Sequence, residues 1–511
     1  MLVLGDIVKV NARRYPTQKA LMMDDRSVTF DEMNRFTNRL AHGLLSLGLE
    51  PGERVGIWSR NCIEYVLILF AIWSCGGISV PINFRFRKEE AAYILRNSQP
   101  KILFHAQDLV SLVEEICSRQ IPILPISISG PHIEKGKSLT ELMEKESDDE
   151  IEFEPDPLSP AIIIYTSGTT GVPKGVIFSH AKELNDITSS SMETDVKHED
   201  VALLNMPLFH NGGLSLGLMQ FLLHGSTCVI LGGSFDLDLF LSTIERFRIT
   251  VVNVVPTMLA RLVNHPGIGQ YDLTSLKKII YGSSPISESV LKAALNIFKA
   301  DFYQTYGQTE TCLSLVLKPG DHFTERTRFT GRPLCRVNLR VVDENGLDVK
   351  VGEVGEIIVR QKPLGMDGYY GMEEATRETI RDGWIHTGDL ARVEGGAYYT
   401  IVDRLKDIII SGGENIYCKE IENVIMEHPG VDEVAVFGVP DKEWGEIVCV
   451  AMVPKEGVKI TEKEIVDHCA SRLAGYKKPK RIEFRNELPK NAAGKTLKSV
   501  LKEEYRTAKN N

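Results

Sequence analysis

A loop rich in hydroxyl groups and glycine lies between two strand-like segments in the N-terminal half of the chain. Residues 165–175 read Tyr-Thr-Ser-Gly-Thr-Thr-Gly-Val-Pro-Lys-Gly, directly after the apolar run 161–164. The glycines let backbone N–H groups approach an anion, the hydroxyls can donate to phosphate oxygens, and Lys174 adds a positive charge. The common NTPase loop instead needs Gly-Lys-Ser/Thr followed by a helix. Because β-prone residues 176–178 follow here, the sequence predicts a strand–loop–strand phosphate site and a different way of using ATP.

The segments before this loop alternate between helical and strand-like patterns. The predicted elements are helix 31–47, strand 54–58, helix 63–75, strand 78–81, helix 88–97 and strand 101–104. Such alternation implies a largely parallel sheet covered by helices. The uncharged run 65–82 is long enough to cross a membrane, but two glycines and a proline interrupt it, so we expect a buried helix, a turn and a strand.

The pattern is interrupted before the loop and changes again after it. The acidic stretch 144–156 before it predicts a solvated surface connection, and short strands at 338–342, 355–360 and 397–401 predict a β-rich subdomain. A last stretch of about 100 residues has its own alternation, typical of a small α+β domain. A chain of 511 residues is expected to form two or more domains. We therefore predict an α/β fold, with a large N-terminal α/β domain (1–402), a hinge (403–408) and a small mobile α+β C-terminal domain (409–511).

Composition excludes several classes of protein. The chain has 59 Lys+Arg against 69 Asp+Glu, a net charge of −10, which disfavours general binding to nucleic acid. Its nine cysteines are scattered, without the Cys-x-x-Cys pair of a zinc site and without the pattern of a disulfide framework. The first residues lack the features of a signal peptide. These patterns predict a cytoplasmic protein without a transmembrane segment.

Five more motifs follow the phosphate loop in a fixed order. They are Tyr-Gly-Gln-Thr-Glu at 306–310, Thr-Gly-Asp at 387–389, Asp-Arg-Leu-Lys-Asp at 403–407, Ser-Gly-Gly-Glu-Asn at 411–415 and Pro-Lys-Asn-Ala-Ala-Gly-Lys at 489–495. Together with the loop, this set resembles the adenylate-forming superfamily of acyl-CoA synthetases, luciferases and peptide-synthetase adenylation domains. The resemblance covers roughly residues 5–505. It implies that the protein joins a carboxylate to AMP with loss of pyrophosphate, then passes the acyl group to a thiol, using ATP, Mg²⁺ and coenzyme A.

The chemistry of individual side chains suits this reaction. Glu310 offers a hard oxygen ligand for Mg²⁺, although Thr309 before it also allows a helix N-cap or a surface carboxylate. Tyr306 offers a flat face for adenine, Asp389 can accept both ribose hydroxyls, and Arg404 can add a ribose or phosphate contact. Thr-Gly-Asp by itself would more often be an ordinary turn.

The resemblance assigns the remaining roles. Catalytic roles fall on Thr166, Lys174, His210, Glu310 and Lys495. The residues expected to bind ATP or CoA are Thr166, Ser167, Gly168, Thr169, Thr170, Gly171, Lys174, Gly282, Ser283, Ser284, Tyr306, Gly307, Thr309, Asp389, Arg404, Ser411, Gly412, Gly413, Trp444, Tyr476 and Lys478. Trp444 is equally compatible with a core position.

Lys495 is the residue we expect to matter most for adenylation. Its ammonium can meet both the substrate carboxylate and the α-phosphate, which lowers their repulsion in the transition state. The same side chain would obstruct the thiol, so the superfamily rotates its C-terminal domain between the two half-reactions. Lys406 matches the hinge position, and residues 411–413 would then form a slot for pantetheine.

The acyl pocket is expected at two other segments. Its predicted lining residues are Phe209, His210, Gly282 and Gly307, and Asn205, Met206, Leu216 and Met219 are apolar or small enough to extend the channel. His210 has either a polar or gating role, or only local hydrogen bonds. Segment 209–210 lacks the Asp of amino-acid-activating relatives, so we predict a fatty or aromatic acid.

The predicted function is that of an AMP-forming acyl-CoA synthetase. An enzyme that loads the phosphopantetheine of a carrier protein is the first alternative, since the slot serves either acceptor. A non-catalytic module that binds acyl groups or nucleotides is the second, but Lys174, Glu310, Asp389 and Lys495 are all present. A homodimer is compatible with the sequence, and the acid itself is not identified by any motif.

Overall fold

The computed structural model describes residues 3–117, 122–130, 136–166, 172–233, 235–412, 414–441, 443–490 and 496–510. Its helices are α1 Asp6–Arg14, α2 Phe30–Ser46, α3 Ile63–Ser74, α4 Lys88–Ser98, α5 Val110–Cys117, α6 Leu139–Met143, α7 His180–Glu193, α8 Asn211–Gly213, α9 Gln220–Leu223, α10 Leu237–Phe247, α11 Pro256–Val263, α12 Glu288–Ile297, α13 Glu373–Thr379, α14 Cys418–Met426, α15 Glu462–Ala470 and α16 Lys498–Asn510. A π-helix, Leu214–Met219, connects α8 to α9.

The strands are β1 Lys19–Met23, β2 Arg26–Thr29, β3 Arg54–Trp58, β4 Ile78–Ile82, β5 Ile102–His105, β6 Leu124–Ser127, β7 Lys137–Ser138, β8 Pro160–Thr166, β9 Lys174–Ser179, β10 Val201–Leu204, β11 Thr227–Ile230, β12 Val251–Val254, β13 Lys278–Gly282, β14 Asp301–Gln308, β15 Cys312–Leu317, β16 Arg332–Pro333, β17 Leu339–Val342, β18 Val354–Arg360, β19 Gly368–Tyr369, β20 Ile380–Arg381, β21 Trp384–Val393, β22 Tyr399–Arg404, β23 Ile409–Ser411, β24 Glu414–Ile416, β25 Val431–Asp441, β26 Gly445–Pro454 and β27 Arg481–Phe484.

Two large sheets form the N-terminal part of the molecule. One has the order β19-β9-β8-β4-β3-β5-β6-β7, and the other has the order β16-β15-β14-β13-β12-β10-β11-β1-β2. Their central strands are parallel, as the helix–strand alternation predicts. Helix α3 contacts β4 of one sheet and β1 of the other, and its apolar residues are buried on all sides, as expected for a helix enclosed by a core.

The apolar run 65–82 folds as α3, a turn and β4, so its prediction as buried helix, turn and strand is confirmed. Within the described ranges, we find no helix that combines the length and the hydropathy needed to cross a membrane.

The acidic stretch 144–156 contains no helix or strand, as predicted for a surface connection. It is nevertheless held in place by ion pairs. Asp148 pairs with Arg35 and Arg39 on α2, and Glu150 pairs with residues of α1. Its charges therefore attach the segment to two helices, in addition to being solvated.

The third sheet has the order β17-β18-β21-β20, with β22 also paired to β21, and it forms the predicted β-rich region. Its last strand begins at Tyr399, so the predicted strand 397–401 starts too early. The difference arises because residues Gly395–Ala397 form a 3₁₀ turn in which Gly396 has a φ of 71°. A positive φ takes the chain out of the extended conformation just before the strand.

The fourth sheet has the order β24-β23-β26-β25, with β27 paired to β26. Helices α14 and α15 pack on one side of it through Ile421, Ile425 and Ile465. Helix α15 starts at Glu462 because Thr461 and Glu464 form a reciprocal capping box. A 3₁₀ turn, Leu405–Asp407, lies between the last strand of the third sheet and the first strand of the fourth, which is the segment where the sequence predicts a hinge.

Candidate nucleotide and acyl site

The predicted phosphate loop connects β8 and β9. These strands pair antiparallel, with Thr166 opposite Lys174, so the predicted strand–loop–strand arrangement is present. Ser167, Gly168, Thr169, Thr170 and Gly171 lie outside the described residues. The ammonium of Lys174 is 4.7 Å from the centre of the Tyr369 ring. The C-terminal end of the loop therefore packs against Tyr369.

Glu310 lies in the turn between β14 and β15. The Tyr369 hydroxyl donates to Glu310 Oε1 at 2.9 Å, and Glu310 Oε2 has no hydrogen-bond partner in the described part of the chain. The neighbouring segments are both strands, so Glu310 does not cap a helix. A single carboxylate suits Mg²⁺, which usually takes one or two carboxylates together with water and phosphate oxygens.

Backbone packing holds the Glu310 turn in place. A Cβ atom on Gly307 would lie 2.1 Å from the Cys312 carbonyl oxygen, so only glycine allows the two strands to approach this closely. Cys312 itself has a φ of 58°. The Gln308 N–H donates to the Thr311 hydroxyl at 3.2 Å, which closes the turn around Thr309 and Glu310.

Asp389 is the centre of a second cluster. Its Oδ2 accepts hydrogen bonds from the Tyr306 hydroxyl at 2.7 Å and from Gln308 Nε2 at 2.7 Å. Its Oδ1 lies 3.1 Å from Arg404 Nε, and the residue is only 4% exposed. Burial and the Asp389 charge raise the pKa of Tyr306 well above its usual range, so Tyr306 remains a neutral donor. The cluster brings together three predicted nucleotide residues from three separate motifs.

The Thr-Gly-Asp turn is itself positioned from β18. The Gly388 N–H donates to Glu356 Oε1 at 2.9 Å, and His386 Nδ1 lies 2.7 Å from Glu356 Oε2. Gly388 has a φ of 66°, a conformation that favours glycine. Glu356 therefore fixes the backbone that carries Asp389.

In the predicted acyl segment, one ring nitrogen of His210 makes a local hydrogen bond. Its Nδ1 accepts from the Gly212 N–H at 3.1 Å, which assigns the ring proton of the neutral form to Nε2. Burial lowers the pKa of His210. Phe209 packs edge-on against Phe84, with ring centres 5.8 Å apart. His210 is thus a neutral ring with one local hydrogen bond, and its Nε2–H is available as a donor.

Gly282 and the two serines after it lie where β13 ends. A Cβ on Gly282 would come within 2.2 Å of the Thr305 carbonyl oxygen on β14, so the segment approaches β14 as closely as a glycine allows. Ser283 has a φ of 70°, and both Ser283 and Ser284 are exposed. Gly282 therefore lies on the strand next to Tyr306, opposite Thr305.

A buried pair of carboxyl groups on α7 also contacts this region, and sequence reasoning missed it. Ser215 Oγ lies 2.5 Å from Glu183 Oε1 and 2.5 Å from Asn211 Oδ1. One hydroxyl proton cannot serve two acceptors, so a protonated Glu183 that donates to Ser215, which then donates to Asn211, accounts for both contacts. Glu183 Oε2 is buried and has no partner among the described residues. Burial and the Asp186 charge raise the pKa of Glu183, and burial raises that of Asp186.

Asp186 connects α7 to the Glu310 turn. Its Oδ1 accepts from the Leu313 N–H at 3.4 Å, while Glu183 reaches the π-helix through Ser215. The two acids therefore lie between the acyl segment and the turn that carries Glu310. An α7 sequence of mixed polar residues is typical of an exposed helix, so only tertiary packing reveals their burial.

In the C-terminal part, Ser411 and Gly412 lie beside Trp444. The Gly412 N–H donates to the Trp444 carbonyl at 2.8 Å, and a Cβ on Gly412 would lie 2.9 Å from the Trp444 ring. Trp444 is 48% exposed, which argues against a core position. Tyr476 is also exposed, but within the described ranges no hydrogen bond or ring contact joins Tyr476 or Lys478 to Trp444. Gly413 and Lys495 lie outside the described residues.

The segment around the predicted hinge contacts both the Asp389 cluster and the C-terminal part of the chain. Arg404 pairs with Asp389, as described above, and the adjacent Asp403 accepts from the Lys419 N–H at the start of α14 at 3.2 Å. Lys406 is exposed on the 3₁₀ turn. The chain thus passes directly from the Asp389 cluster into the fourth sheet.

Gln308 and Tyr369 contact predicted site residues but, like the α7 carboxyl pair, were not predicted from the sequence. Gln308 lies inside the Tyr-Gly-Gln-Thr-Glu motif, and its amide could have been included as a partner of Asp389 from that position alone. Tyr369 is far from Glu310 and Lys174 in the chain and has no motif around it, so only the fold reveals its position.

Comparison with known proteins agrees with this geometry. The sequence model of the AMP-binding enzyme family matches residues 8–370, and that of the AMP-binding enzyme C-terminal domain matches residues 420–495. A feruloyl-CoA synthase from Amycolatopsis sp is 37% identical over 98% of this chain and 99% of its own length. A fatty acid–[acyl-carrier-protein] ligase from Streptomyces coeruleorubidus is 35% identical over 97% of this chain and 95% of its own.

A solved structure has the same fold. The crystal structure of an anthranilate CoA ligase in complex with anthranoyl-AMP superposes with a TM-score of 0.91, at 27% identity, over 98% of this chain and 97% of that one. The resemblance therefore extends over both parts of the molecule. The chain belongs to the AMP-binding enzyme family and is a member of the adenylate-forming superfamily of ligases.

Proposed function

We propose that the protein is an AMP-forming acyl-CoA synthetase that acts on a fatty or aromatic carboxylic acid. The observation that carries this proposal is the β14–β15 hairpin, which holds Tyr306 and Gln308 against Asp389 and presents Glu310 beside Tyr369. A nucleotide bound along this hairpin would have its sugar near Asp389 and its phosphates towards Glu310 and Lys174.

The first half-reaction activates the acid. A carboxylate oxygen of the substrate attacks the α-phosphorus of ATP, and the bond from that phosphorus to the pyrophosphate oxygen breaks. We assign Lys495 and Lys174 the role of stabilising the negative charge that develops on the phosphoryl oxygens, because a fixed cation there lowers the energy of the transition state. Asp389 and Arg404 hold the ribose. Glu310 would hold Mg²⁺, which neutralises the departing pyrophosphate when bound.

The second half-reaction transfers the acyl group. The sulfur of the thiol attacks the carbonyl carbon of the acyl-adenylate, and the carbon–oxygen bond to AMP breaks. We propose that rotation about the turn around Lys406 exchanges Lys495 for the slot formed by Ser411, Gly412 and Gly413. Trp444 is exposed beside Gly412, which suits a contact with CoA, and Tyr476 and Lys478 are assigned to the CoA nucleotide.

We favour free CoA over a carrier protein as the acceptor. Relatives of both kinds exist, since one is named a CoA synthase and another an acyl-carrier-protein ligase. The CoA synthase has the higher identity, and the matched structure is also named a CoA ligase. The same proposal includes a cytoplasmic location, which the unpaired cysteines support, and a homodimer, which size-exclusion chromatography with light scattering would test.

The proposal is tested by measuring AMP and pyrophosphate formation with short, medium, long-chain and aromatic acids, each with and without CoA. We expect turnover with one class of acid and strong stimulation by CoA. Pyrophosphate release that CoA does not stimulate, but that a phosphopantetheinylated carrier protein does, would favour the alternative acceptor. Absence of ATP turnover with every acid would contradict the proposed activity.

A further inference from the structure

Two asparagine side chains beside the π-helix have an amide oxygen without a partner. Asn205 follows β10 directly, and Asn253 lies on β12, the neighbouring parallel strand. Both Oδ1 atoms are buried and have no hydrogen-bond partner in the described part of the chain. A buried acceptor without a donor is unfavourable, and most such groups in proteins are paired.

The orientation of both amides follows from their other contacts. Asn205 Nδ2 donates to the Asn253 carbonyl at 2.9 Å, and Asn253 Nδ2 donates to the Leu216 carbonyl at 2.7 Å. Rotating either amide by half a turn would place an oxygen against a carbonyl oxygen, which is repulsive. The Oδ1 atoms therefore face away from these carbonyls, and they require a donor from elsewhere.

The two asparagines lie at segments that the sequence predicts to line the acyl pocket: Asn205 is one of the predicted residues, and Asn253 contacts another, Leu216. Asn253 contacts Leu216 on the π-helix that directly follows the His210 segment. A Cβ on Gly217 would lie 3.9 Å from Asn253 Nδ2 and 3.4 Å from the Gly212 carbonyl oxygen, so the amide is close to the acyl-side backbone. The site also lies at the carboxyl ends of parallel strands, where α/β sheets bind their ligands.

The π-helix beside the two asparagines carries mostly buried apolar side chains. Leu214, Leu218 and Met219 of the π-helix and Leu204 at the end of β10 are all buried. In ligand pockets of this kind, a few polar atoms among apolar side chains determine which substrate is accepted. An ionised carboxylate has acceptors only, so the reacting end of the substrate acid cannot satisfy these oxygens. Within the acid, only the acyl part can supply the donor.

We propose that Asn205 and Asn253 form an acceptor site for a hydroxyl or neutral amino group on the acyl part of the substrate acid. This inference rests on the proposed function and narrows its substrate class to fatty or aromatic acids that carry a hydrogen-bond donor. A neutral donor fits better than an ammonium group, because two amide oxygens cannot compensate the desolvation of a full charge.

The test compares acids in matched pairs that differ only by a hydroxyl and a methyl group. The aromatic pairs are cinnamates with the substituent at the ortho, meta or para position, and the aliphatic pair is an omega-hydroxy fatty acid with its omega-methyl counterpart. The readout is kcat/KM for pyrophosphate release. For the wild type, we expect the hydroxyl member of at least one pair to be preferred by about tenfold or more, as for a hydrogen bond that satisfies a buried acceptor.

Two variants connect this preference to the asparagines. In Asn253→Leu, and separately in Asn205→Leu, the preference should fall to about one or invert in favour of the methyl member, because the acceptor is lost. Asn38→Leu provides the matched control. Asn38 is 6% exposed and Asn253 is 7% exposed, but Asn38 lies on α2, and its variant should keep the wild-type preference. Thermal unfolding of each variant verifies that it is folded.

Two results would overturn the inference while leaving the proposed function intact. One is that the wild type turns over acids but has the same kcat/KM for the methyl and hydroxyl members of every pair. The other is that the hydroxyl preference is unchanged in folded Asn253→Leu and Asn205→Leu. Absence of turnover with all acids is a different result, because it would overturn the proposed function and this inference together.

Discussion

A single buried carboxylate, that of Asp389, connects three motifs that lie far apart in the chain. It accepts from Tyr306 and Gln308 on one oxygen and pairs with Arg404 on the other. The sequence predicts that Asp389, Tyr306 and Arg404 belong to one site, because their motifs occur together in the superfamily, and the structure brings the three side chains into contact. It does not indicate that Tyr306 donates to Asp389, since that contact depends on how β14 lies against β21.

Asp389→Ala should lower kcat/KM for ATP by about 10²-fold, because charge-assisted hydrogen bonds to the ribose would be lost. The measurement is pyrophosphate release at varied ATP concentration. Asp348→Ala is the matched control, since Asp348 also pairs with an arginine, at 2.7 Å, but is 66% exposed and contributes little. Equal losses in the two variants would contradict the assignment of Asp389 to the nucleotide.

The carboxyl pair on α7 predicts a pH dependence of stability. Because burial raises the pKa of Glu183 in the folded state, the folded protein binds a proton that the unfolded chain releases at lower pH. The contribution to stability is complete below the ordinary pKa of glutamate and is lost as pH rises through the raised value. Glu183→Gln retains a donor to Ser215 and does not ionise.

We therefore expect the unfolding free energy of the wild type to fall relative to Glu183→Gln as pH rises above about 4.3, by up to about 1.4 kcal/mol per pH unit between the two pKa values. Urea unfolding at a series of pH values measures this difference. Glu288→Gln, at a side chain that is 78% exposed, controls for the loss of one negative charge. Parallel pH curves for the wild type and Glu183→Gln would show that Glu183 is not protonated in the folded state.

At the scale of elements, most of the helices and strands that the sequence predicts have ends that differ from the structure by about one or two residues, the usual uncertainty of such boundaries. Strand 54–58 is predicted with the ends that the structure has, because its apolar run is bounded by clear turn residues. The π-helix Leu214–Met219 is not predicted, since its residues also fit an ordinary apolar α-helix. It makes polar contacts with other elements, through Ser215 to Glu183 on α7 and through the Leu216 carbonyl to Asn253 on β12.

The β14–β15 hairpin predicts a strict requirement for glycine at position 307. In Gly307→Ala the new Cβ would lie 2.1 Å from the Cys312 carbonyl oxygen, so the strands must separate. We expect a loss of stability of about 1–3 kcal/mol and a larger loss of adenylation activity, because the Glu310 turn would move. Thermal unfolding and pyrophosphate release measure the two effects. Gly320→Ala is the control, as its Cβ would meet nothing within 4 Å; the same behaviour in both variants would argue against this role of the turn.

The 3₁₀ turn Leu405–Asp407 predicts a selective effect of Lys406→Pro. Proline fixes its own φ and disfavours the helical conformation of the residue before it, here Leu405. If the turn is the hinge, the variant should retain adenylation but lose thioester formation by about tenfold or more, because rotation is restricted. Lys406→Ala, which leaves the backbone free, is the control. An undisturbed second half-reaction in the proline variant would place the hinge elsewhere.

At the scale of the whole molecule, the order of motifs along the chain correctly predicts the family, the two-part architecture and the class of reaction. The particular acid is not predicted, because the proposed pocket draws on segments after β10, on β12 and around the π-helix that no single motif describes. The buried asparagine oxygens there are visible only once these segments are folded together.

The two half-reactions should depend differently on Lys495. Lys495→Ala should lower adenylate formation by about 10²–10³-fold but leave thioester formation from supplied acyl-adenylate largely intact. The reason is that Lys495 is proposed to enter the active site only in the conformation that forms the adenylate. Single-turnover assays of each step measure this separation. Lys490→Ala, at a nearby lysine that pairs with Glu433, should affect neither step. Equal losses of both steps in Lys495→Ala would contradict the proposal that Lys495 acts only in adenylation.

The most direct test of the central claim follows the oxygen of the substrate carboxylate. The protein is incubated with ATP, CoA and an accepted acid whose carboxylate carries oxygen-18, and the products are analysed by mass spectrometry. If the acid attacks the α-phosphorus, one labelled oxygen remains with AMP after the thiol displaces it, while pyrophosphate stays unlabelled. Label in inorganic phosphate together with formation of ADP would contradict adenylation and, with it, the proposed role of the whole site.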